Sequence, residues 1–488
     1  MMFKRVKNRN RGFIMVVTMV ISFLLLVLSG GLAMLGILQQ RLYNQQISKQ
    51  QALHIAEAGA NYYRWHLAHA QNDYMDGTGS DPGGGGAPYG PYVHNYSDPT
   101  GVITGKFQLD ITPPPVGSTI VRVKATGWTD KYPQVKRTLE IRYGIPSLAH
   151  YSFFTSADAW FGASETVIGE MHANGGVRMD GSNDSVIASA RQNFTCTSSF
   201  GCSGSGTCQS PCNWIATSTS CNCPGIFGAG ASNNLWQFPV PQIQLSGITA
   251  DLDAMRAKAT SSGSYFKANG STKGYHVTFN AAGTFTIRTV TSLMSAVNQY
   301  GDDWNNPAWV NYAEQYNAQG TANTYSLPAA GVIFIEDGDA WVDGTVKGRV
   351  TLVAASLPDQ VNKRRTIFIN NNLQYLSRNG DNVLGLIAQK DIRVPRYAPD
   401  NLIIDAILLA QWGRVYRNVY SSPSIKTSIE VYGGIITNLT WTWTWVNGAS
   451  VKDGYTNTRQ IYDSNVTYSP PPSFPTSGEY AFISWEEK

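Results

Sequence analysis

Six cysteines are the residues whose types and spacing point most directly to chemistry. They all fall within one Ser/Gly-rich segment and are Cys196, Cys202, Cys208, Cys212, Cys221 and Cys223. An even number in so short a stretch indicates a local disulfide framework, with a zinc site as the alternative. The segment has no Cys-x-x-Cys pair and no histidine, so the spacing favours disulfides. Their pairing stays open, because six cysteines allow many connectivities.

Acidic residues and one histidine are the candidates for catalysis. Asp337, Asp339 and Asp343 lie within residues 331–355, and His172 lies in the sequence GEMHANGG. Glycoside hydrolysis needs two carboxylates about 5–10 Å apart, but aspartates beside glycines commonly serve turns instead. His172 has no second ligand nearby, and the chain has no Gly-x-Ser-x-Gly, His-Glu-x-x-His or phosphate-binding motif. We therefore expect no enzyme activity, catalytic residue, metal or cofactor.

Three tryptophans form a candidate contact face. The run WTWTWV is predicted to be a strand, in which every second side chain lies on one side; these side chains are Trp441, Trp443 and Trp445. Packing in a core or an interface is the simpler interpretation. The functional alternative is a platform for a carbohydrate or another hydrophobic surface.

The composition of the 488 residues suits extracellular β-structure. Only 14% of the residues are charged, whereas the chain has 47 glycines, 25 tyrosines and 13 tryptophans. The net charge of +4 is more than accounted for by cations near the N-terminus, namely Lys4, Arg5, Lys7, Arg9 and Arg11. Because the remainder is near neutral, we expect no nucleic-acid partner.

A long apolar segment follows these cations and determines where the other groups lie relative to a membrane. Residues 13–38 contain no charge and exceed the roughly 20 residues that span a bilayer. The preceding cations predict a cytoplasmic leader over residues 1–12. A cleavable secretory signal is disfavoured, because its apolar region would be about 7–15 residues long.

The next segment, residues 39–72, has the period of an amphipathic helix. Small or apolar residues recur at three- and four-residue steps, namely Ala52, Ile55, Ala56, Gly59, Tyr63, Leu67 and Ala70. Nothing between the two segments breaks a helix. We predict one continuous helix over about residues 13–70, roughly 85 Å long at about 1.5 Å per residue, with its first half in lipid.

Together these features resemble a known class of N-terminus. A short basic leader, then Gly12-Phe13, then an apolar helix that continues as an amphipathic one is similar to the class III signal of type IV prepilins. The sequence QALHIAEAGANYYRWHLAHA, with Ala56-Glu57-Ala58 within it, resembles the PilX-type segment of minor pilus-assembly proteins. The resemblance implies cleavage between Gly12 and Phe13 by prepilin peptidase, N-methylation of Phe13, and packing of the helix in a filament core. There we expect the lipid-embedded half, with Val17, and the stripe from Ala52 to Leu67, with Glu57, to pack against the helices of neighbouring subunits.

One position departs from the pattern of major pilins. Major pilins carry a glutamate as the fifth residue after cleavage, which pairs with the amine of a neighbouring subunit; here that position is Val17. A carboxylate in lipid is costly unless it is paired, so its absence removes this pairing role. The resemblance therefore implies a minor, tip-located or initiating subunit. The alternative is a PilX-like anchor that never polymerises.

Two short regions follow the helix. Residues 73–101 are rich in Gly and Pro and are predicted to be a linker. Its acidic residues Asp73, Asp76 and Asp81 lack EF-hand spacing, so a flexible loop is favoured over a calcium site. Residues 102–145 alternate apolar and polar side chains in three stretches, which predicts a small antiparallel sheet. In this pilin-like arrangement the helix covers one face of the sheet.

Residues 146–488 are predicted to form one large β domain. Short apolar runs bounded by Gly, Asp or Asn recur, and Asp158-Ala159-Trp160 is echoed by Asp339-Ala340-Trp341. Such runs predict a right-handed parallel β-helix-like domain, with an irregular β-sandwich as the alternative. Phrases such as MHANGGVRMDG and VLGLIAQKDIRV resemble the β-solenoid-like domain that often follows PilX-type anchors. The cysteine-rich segment, residues 192–234, is predicted to project from this domain as an insertion.

We therefore expect a mostly β protein with one long N-terminal helix and a structural role. It is predicted to be a minor pilin-like protein of the bacterial inner membrane, with the bulk of the chain periplasmic or extracellular. Its expected partners are other pilin or minor-pilin subunits of a type IV pilus or pseudopilus, the membrane, and prepilin peptidase. The alternatives are an adhesin that binds a host surface or glycan through the cysteine-rich insertion or the tryptophans, and an anchored carbohydrate-active β-helix enzyme.

Overall fold

The computed structural model describes residues 11–115, 118–163, 165–202, 207–218, 220–243, 248–300, 308–447, 450–476 and 480–488. The first ten residues of the predicted leader lie outside this range. The chain folds into two units. Unit 1 comprises residues 1–113, 121–144 and 480–488, and unit 2 comprises residues 114–120 and 145–479.

Unit 1 combines one long helix with a five-stranded antiparallel sheet. The predicted continuous helix is confirmed as α1, which spans Arg11–His69. The next strands along the chain are β1 (Tyr89–Ser97), β2 (Ile103–Thr112), β3 (Val121–Thr129) and β4 (Lys136–Gly144). They lie side by side in chain order, and the C-terminal strand Ala481–Glu487 completes the sheet beside β4.

Two strands of this sheet lie outside the range predicted for it. β1 falls within the predicted linker, and its Pro91 is tolerated because an edge strand has one side without ladder hydrogen bonds. The Gly-rich loop before β1 is held by Asp81, whose carboxylate accepts the backbone N–H groups of Gly83, Gly86 and Gly90. These hydrogen bonds, foremost that from Gly90, lower the pKa of Asp81. The segment is therefore an ordered loop and an edge strand, not a plain linker.

The second half of α1 packs on the sheet through its small and apolar stripe. The helix lies close enough to β4 for the Tyr143 hydroxyl to donate to the carbonyl oxygen of Ala60 at 3.0 Å. Two glycines permit the approach, because a Cβ on Gly127 would lie 2.3 Å from the carbonyl oxygen of Ala52 and a Cβ on Gly59 2.7 Å from the Phe107 ring. The helix and sheet therefore share one apolar core.

Unit 2 consists mainly of short strands. The first group runs through β5 (Phe153–Thr155), β6 (Ala159–Phe161), β7 (Thr166–Ile168), β8 (Met171–Ala173), β9 (Val177–Met179), β10 (Ser182–Asn183), β11 (Ile187–Ser189), β12 (Asn193–Cys196), β13 (Asn213–Ile215), β14 (Ser220–Pro224), β15 (Ile226–Phe227) and β16 (Trp236–Gln237). The helix α2 (Ile248–Ser261) follows, and after it come β17 (Tyr265–Lys267), β18 (Gly274–Asn280), β19 (Thr284–Leu293), β20 (Val297–Tyr300), β21 (Trp309–Tyr312), β22 (Tyr316–Gln319) and β23 (Asn323–Ser326).

The last group of strands in unit 2 is longer and more apolar. It comprises β24 (Val332–Glu336), β25 (Asp339–Val346), β26 (Arg349–Ala355), β27 (Ile367–Tyr375), β28 (Val383–Ala388), β29 (Ile392–Arg393), β30 (Asn401–Ala410), β31 (Val415–Tyr416), β32 (Ile425–Thr437), β33 (Thr444–Asn447) and β34 (Ser450–Ile461).

These strands stack in parallel ladders, as the β-helix-like prediction requires. The first ladder runs β17-β24-β26-β28-β30-β32-β5-β8-β11-β16. The second ladder runs β18-β25-β27-β29-β31, and β6-β9-β15 forms a separate short sheet. The third ladder runs β25-β27-β30-β32-β34-β7-β10. Several strands bend at a corner and belong to two ladders, so successive turns of the chain form coils.

The spatial order of the coils differs from their order along the chain. Residues 265–461 form the arm that arrives at β32 and ends with β34, whereas residues 153–237 form the arm that winds away from β32. The two arms meet where β32 pairs with β5, with Ile435 opposite Phe153. One coil is therefore composite, because its third-ladder strand, β34, comes from one arm and its first-ladder strand, β5, comes from the other. These two strands pair with β7 and β8, which belong to the next coil. Residues 238–264 connect the last coil in space back to the first.

Both sides of the central strands of the first ladder, from β24 to β8, are buried, which explains their continuous apolar runs. In β24, Ile333 and Ile335 belong to the core inside the coils. Val332 and Phe334 belong to a second core outside the ladder. That outer core is completed by α2 and by the C-terminal tail of unit 2, through Leu252, Met255, Ala259 and Phe474.

The internal echo of Asp-Ala-Trp has a common structural cause. The Asp158 carboxylate accepts the N–H of Gly176 at 2.7 Å, and the Asp339 carboxylate accepts the N–H of Thr366 at 2.9 Å. Asp158 directly precedes β6 and Asp339 is the first residue of β25, and each of these strands pairs with the strand that follows the residue donating the N–H. The repeated aspartate therefore ties one coil to the next at the same corner.

Unit 2 is inserted between two paired strands of unit 1. β4 ends at Gly144, which lies opposite Ala481 in the C-terminal strand. The two ends of unit 2 are tied together, since Ser147 Oγ and the N–H of Leu148 both donate to the carbonyl oxygen of Pro475, at 3.0 and 3.1 Å. Unit 2 thus occupies the position of a hairpin turn.

This topology predicts that unit 1 folds without unit 2. In a fragment starting at Gln39, replacing residues 145–479 with Asn-Gly should preserve the helix and the sheet, because Asn-Gly favours short hairpin turns. Circular dichroism and a cooperative thermal transition test this. In the same fragment, Gly127→Leu should abolish the cooperative thermal transition, because the leucine side chain would clash with the backbone of α1. A replacement fragment without a cooperative transition would contradict the prediction.

Candidate functional site

The first half of α1 is an exposed apolar surface. In the described part of the chain, one helix is long and apolar enough to cross a membrane, Phe13–His69, with a mean hydropathy of 2.7 in its most apolar window. Large hydrophobic side chains from Phe13 to Leu42 are 37–76% exposed, with Phe13 at 74% and Val17 at 37%. The hydroxyls of Thr18 and Ser29 donate to carbonyls of the preceding turn. These residues therefore present no unsatisfied hydroxyl to an apolar environment.

The predicted assembly stripe lies inside the chain's own core. Its side chains are buried against the sheet of unit 1, namely Ala52, Ile55, Ala56, Gly59, Tyr63 and Leu67. The expectation that this stripe contacts neighbouring subunits is therefore wrong, because the sheet of the same chain already covers it. Glu57 lies beside it, with a carboxylate oxygen 3.1 Å from His54 Nδ1. The side of the helix that stays accessible carries Leu42, Tyr43 and Trp65, all more than half exposed.

The six cysteines form disulfides, which confirms that prediction. The pairs are Cys196–Cys202, Cys208–Cys221 and Cys212–Cys223. Among the described residues, the one cluster of potential metal ligands consists of Cys196, Cys202 and Cys223. Since all three sulfurs are in disulfides, this cluster has no thiolate to offer a metal.

The cysteine-rich insertion lies against the coils instead of projecting from them. β12, β14 and β13 form its own small sheet. The Phe194 ring covers Gly176, where a Cβ would lie 2.1 Å from the ring, and Arg178 Nη1 donates to the carbonyl oxygen of Phe200 at 2.7 Å. The insertion is also shorter than predicted, because β15 already returns to pair with β9. Adhesion through this insertion stays a prediction.

The insertion is predicted to be separable from the coils. Its ends meet, because the N–H of Gly225 donates to the carbonyl oxygen of Gln192 at 2.9 Å. Deleting residues 193–224 and joining Gln192 to Gly225 should leave the melting temperature of the coils within a few degrees of its original value. Differential scanning calorimetry measures this. The destabilising control is Gly175→Leu, because a Cβ at Gly175 would lie 2.5 Å from the carbonyl oxygen of Ala157 in the neighbouring coil. A large fall on deletion would show that the coils depend on the insertion.

The three tryptophans do not form one exposed face, so the predicted contact platform is corrected. The regular strand β33 begins only at Thr444. Trp443 is buried, and Trp441 packs on Phe153 and Phe161 inside the coils with ring centroids 5.2 and 5.5 Å apart. Trp445 Nε1 donates to the carbonyl oxygen of Arg417 at 2.9 Å. The simpler interpretation, core packing, describes Trp441 and Trp443.

The carboxylates and histidine considered for catalysis have separate structural partners. Asp337 accepts from Ser356 Oγ at 2.6 Å, and Asp343 lies 2.9 Å from His276 Nε2. Burial raises the pKa of Asp339, whose carboxylate caps the next coil. His172 is stacked on Phe154, and burial lowers its pKa. That the protein has no enzyme activity stays a prediction.

Three polar residues that the sequence reasoning missed meet inside the composite coil. They are Glu165, Thr458 and Gln460. The Glu165 carboxylate accepts from the N–H of Gly162 at 2.7 Å and from Thr458 Oγ1 at 3.3 Å. Burial outweighs these hydrogen bonds and raises the pKa of Glu165 to about 7. A signal was present in β34, where Thr and Gln occupy positions that are apolar in β32.

The raised pKa of Glu165 predicts a loss of stability towards neutral pH. Because the folded chain prefers the protonated carboxyl, the free energy of unfolding falls as pH rises from about 4.5 to about 7. At about 1.4 kcal/mol per pKa unit, the effect is on the order of 3 kcal/mol at most. Glu165→Gln should therefore stabilise unit 2 at pH 8 more than at pH 5, as measured by denaturant unfolding. Asp381→Asn, which replaces an exposed carboxylate of the same unit, is the control and should show no such difference. An equal effect of Glu165→Gln at both pH values would contradict the prediction.

Comparisons with known proteins find similarity among solved structures. No family model and no curated protein matches the sequence. The crystal structure of the competence-associated pilin ComZ from Thermus thermophilus is similar with a TM-score of 0.31 and 12% sequence identity. The match covers 90% of this chain and 97% of that chain.

Proposed function

We propose that this chain is a minor pilin-like structural protein that assembles through α1 into a type IV pilus or pseudopilus. The observation that carries the proposal is the division of α1 into two halves. Residues 13–38 are charge-free and exposed, whereas the stripe from Ala52 to Leu67 is buried on the chain's own sheet. A helix held rigidly at one end and left apolar at the other suits an element that inserts into a membrane and then packs against other helices.

The exposed half has the surface that helix packing in lipid requires. Association there depends on close van der Waals contact, which small residues permit. Gly30, Gly31 and Gly36 each have open space where a side chain would lie. We place the contacts with neighbouring subunits on this half and on the accessible side around Tyr43 and Trp65, because the buried stripe has no surface left for them.

The minor or tip position follows from Val17 and from the size of unit 2. In the pilin-like reading, Val17 removes the carboxylate that would pair with the amine of another subunit. Unit 2 is then the part presented at the tip or surface of the filament, where it caps or decorates it. This role needs no catalytic residue. Cleavage after Gly12 by prepilin peptidase and N-methylation of Phe13 complete the proposal.

Site-specific photo-crosslinking in a piliated host tests this function. A photoreactive residue at Leu35 or Tyr43 should cross-link the full chain to other pilin-like subunits, identified by mass spectrometry. The same residue at Ile55 is the matched control and should yield no intermolecular product, because Ile55 is 2% exposed. Mass spectrometry of the mature chain should find methylated Phe13 at its N-terminus.

Two outcomes would overturn the proposal. Cross-links from Leu35 to lipids alone would indicate an anchor that does not polymerise. An N-terminus that keeps the leader in a host with active prepilin peptidase would exclude processing as a pilin.

A further inference from the structure

The interior of the composite coil is unusually polar. In the third ladder, Thr458 and Gln460 lie opposite Ile429 and Val431, which belong to the apolar core. On its other side Gln460 lies opposite Val167, another core residue. Since buried polar groups cost free energy unless they are hydrogen-bonded, side chains at these positions need partners.

Two polar atoms at this place have no hydrogen-bond partner among the described residues. Gln460 is 8% exposed, and its Nε2 donates to the carbonyl oxygens of Ser152 and Gly433 at 3.3 and 3.4 Å. Its Oε1 is buried and accepts from no group in the part of the chain that the structure describes. The Nε1–H of Trp441 is likewise buried without an acceptor in that part of the chain. One unsatisfied acceptor and one unsatisfied donor therefore occur in the same coil region.

Both residues line one small cavity. Its other walls include the apolar side chains of Phe153, Phe161 and Trp443, and the carboxyl-bearing Glu165. The volume of the cavity that the centre of a water molecule can occupy is about 10 Å³. This is about the volume that one buried water needs on the same measure. The cavity has no space for a sugar or for an aromatic ligand.

We propose that this cavity is a binding site for one water molecule that joins the two arms of unit 2. The water accepts the Nε1–H of Trp441 and donates to Gln460 Oε1 and to the Glu165 carboxyl group. An ammonium ion has the right size but no lone pair for the Trp441 donor, and a metal cation also cannot accept a hydrogen bond. A molecule that both accepts and donates fits this donor and acceptor set.

The position of the site gives it a structural role. Trp441 and Gln460 belong to the arm that arrives at β32, whereas Glu165 belongs to the arm that leaves from β5. The water therefore bridges segments that meet only in the composite coil. It adds to the direct bridges Thr458–Glu165 and Gln460–Ser152.

Hydrogen exchange of the full chain in detergent tests the site. Trp441→Phe and Gln460→Met each remove one partner of the water. The first also removes one ring of the indole, and the second also removes the direct hydrogen bond from Gln460 to Ser152. Each should raise the exchange rate of amides in residues 152–168 about tenfold. The double variant should exchange more slowly than the product of the two single effects predicts, because the same water is lost in all three variants. The matched control is Trp236→Phe, which removes another buried indole N–H outside the cavity; with Gln460→Met its effect should be multiplicative.

A high-resolution structure of the full chain supplies the second measurement. Density for one ordered water in contact with Trp441, Gln460 and Glu165 is expected. An empty cavity together with multiplicative effects in the Trp441→Phe/Gln460→Met pair would overturn the proposal. Protection that changes when ammonium replaces sodium at equal ionic strength would assign the site to a cation instead, and would also overturn it.

Discussion

The parallel pairing of β32 with β5 is the contact on which the architecture of unit 2 depends. It joins an arm that begins at β17 to an arm that ends at β16, and together they form one continuous stack. Because the join lies within the stack, both chain ends of unit 2 emerge near each other, where Ser147 and Leu148 reach Pro475. A solenoid whose coils followed chain order would place its ends at opposite extremes of the stack. The join is therefore what allows unit 2 to be inserted at a hairpin of unit 1.

A second constraint acts on α1. An amphipathic helix has one apolar stripe, and the sheet of unit 1 takes it entirely, with Gly59 and Gly127 bringing the backbones together. What remains for other molecules is the charge-free first half and an outer side that is largely polar apart from a few aromatic and aliphatic residues. Intramolecular packing thus decides which surface of the helix is available, and hydrophobic periodicity alone cannot make that distinction.

Local features of the fold were predictable, whereas long-range pairings were not. The uninterrupted helical pattern gives α1 to within two residues at either end, and an even set of clustered cysteines gives disulfides. The C-terminal strand pairs with β4 from the far end of the chain, and no local pattern encodes that partner. β1 was hidden by Pro91 and its glycines, because edge position, which tolerates them, is a property of the finished sheet. Gln460 was missed for the same reason, because the partners of a side chain inside a coil come from the neighbouring coils. The burial of Trp443 agrees with the simpler interpretation of the tryptophans, packing in a core.

The polar interior of the composite coil follows from this topology. The register of paired strands is strongly specified only where a change of register costs free energy. A change by one residue does so in a buried sheet, because it turns every side chain to the opposite face. In an ordinary coil the apolar pattern of adjacent chain segments supplies that cost. At the join, the strands come from distant parts of the chain, and closing them requires long-range contacts that form slowly. Gln460 can donate to Ser152, and Thr458 to Glu165, in only one register. These hydrogen bonds therefore add to the apolar pairing of Ile435 with Phe153 in specifying how the two arms align.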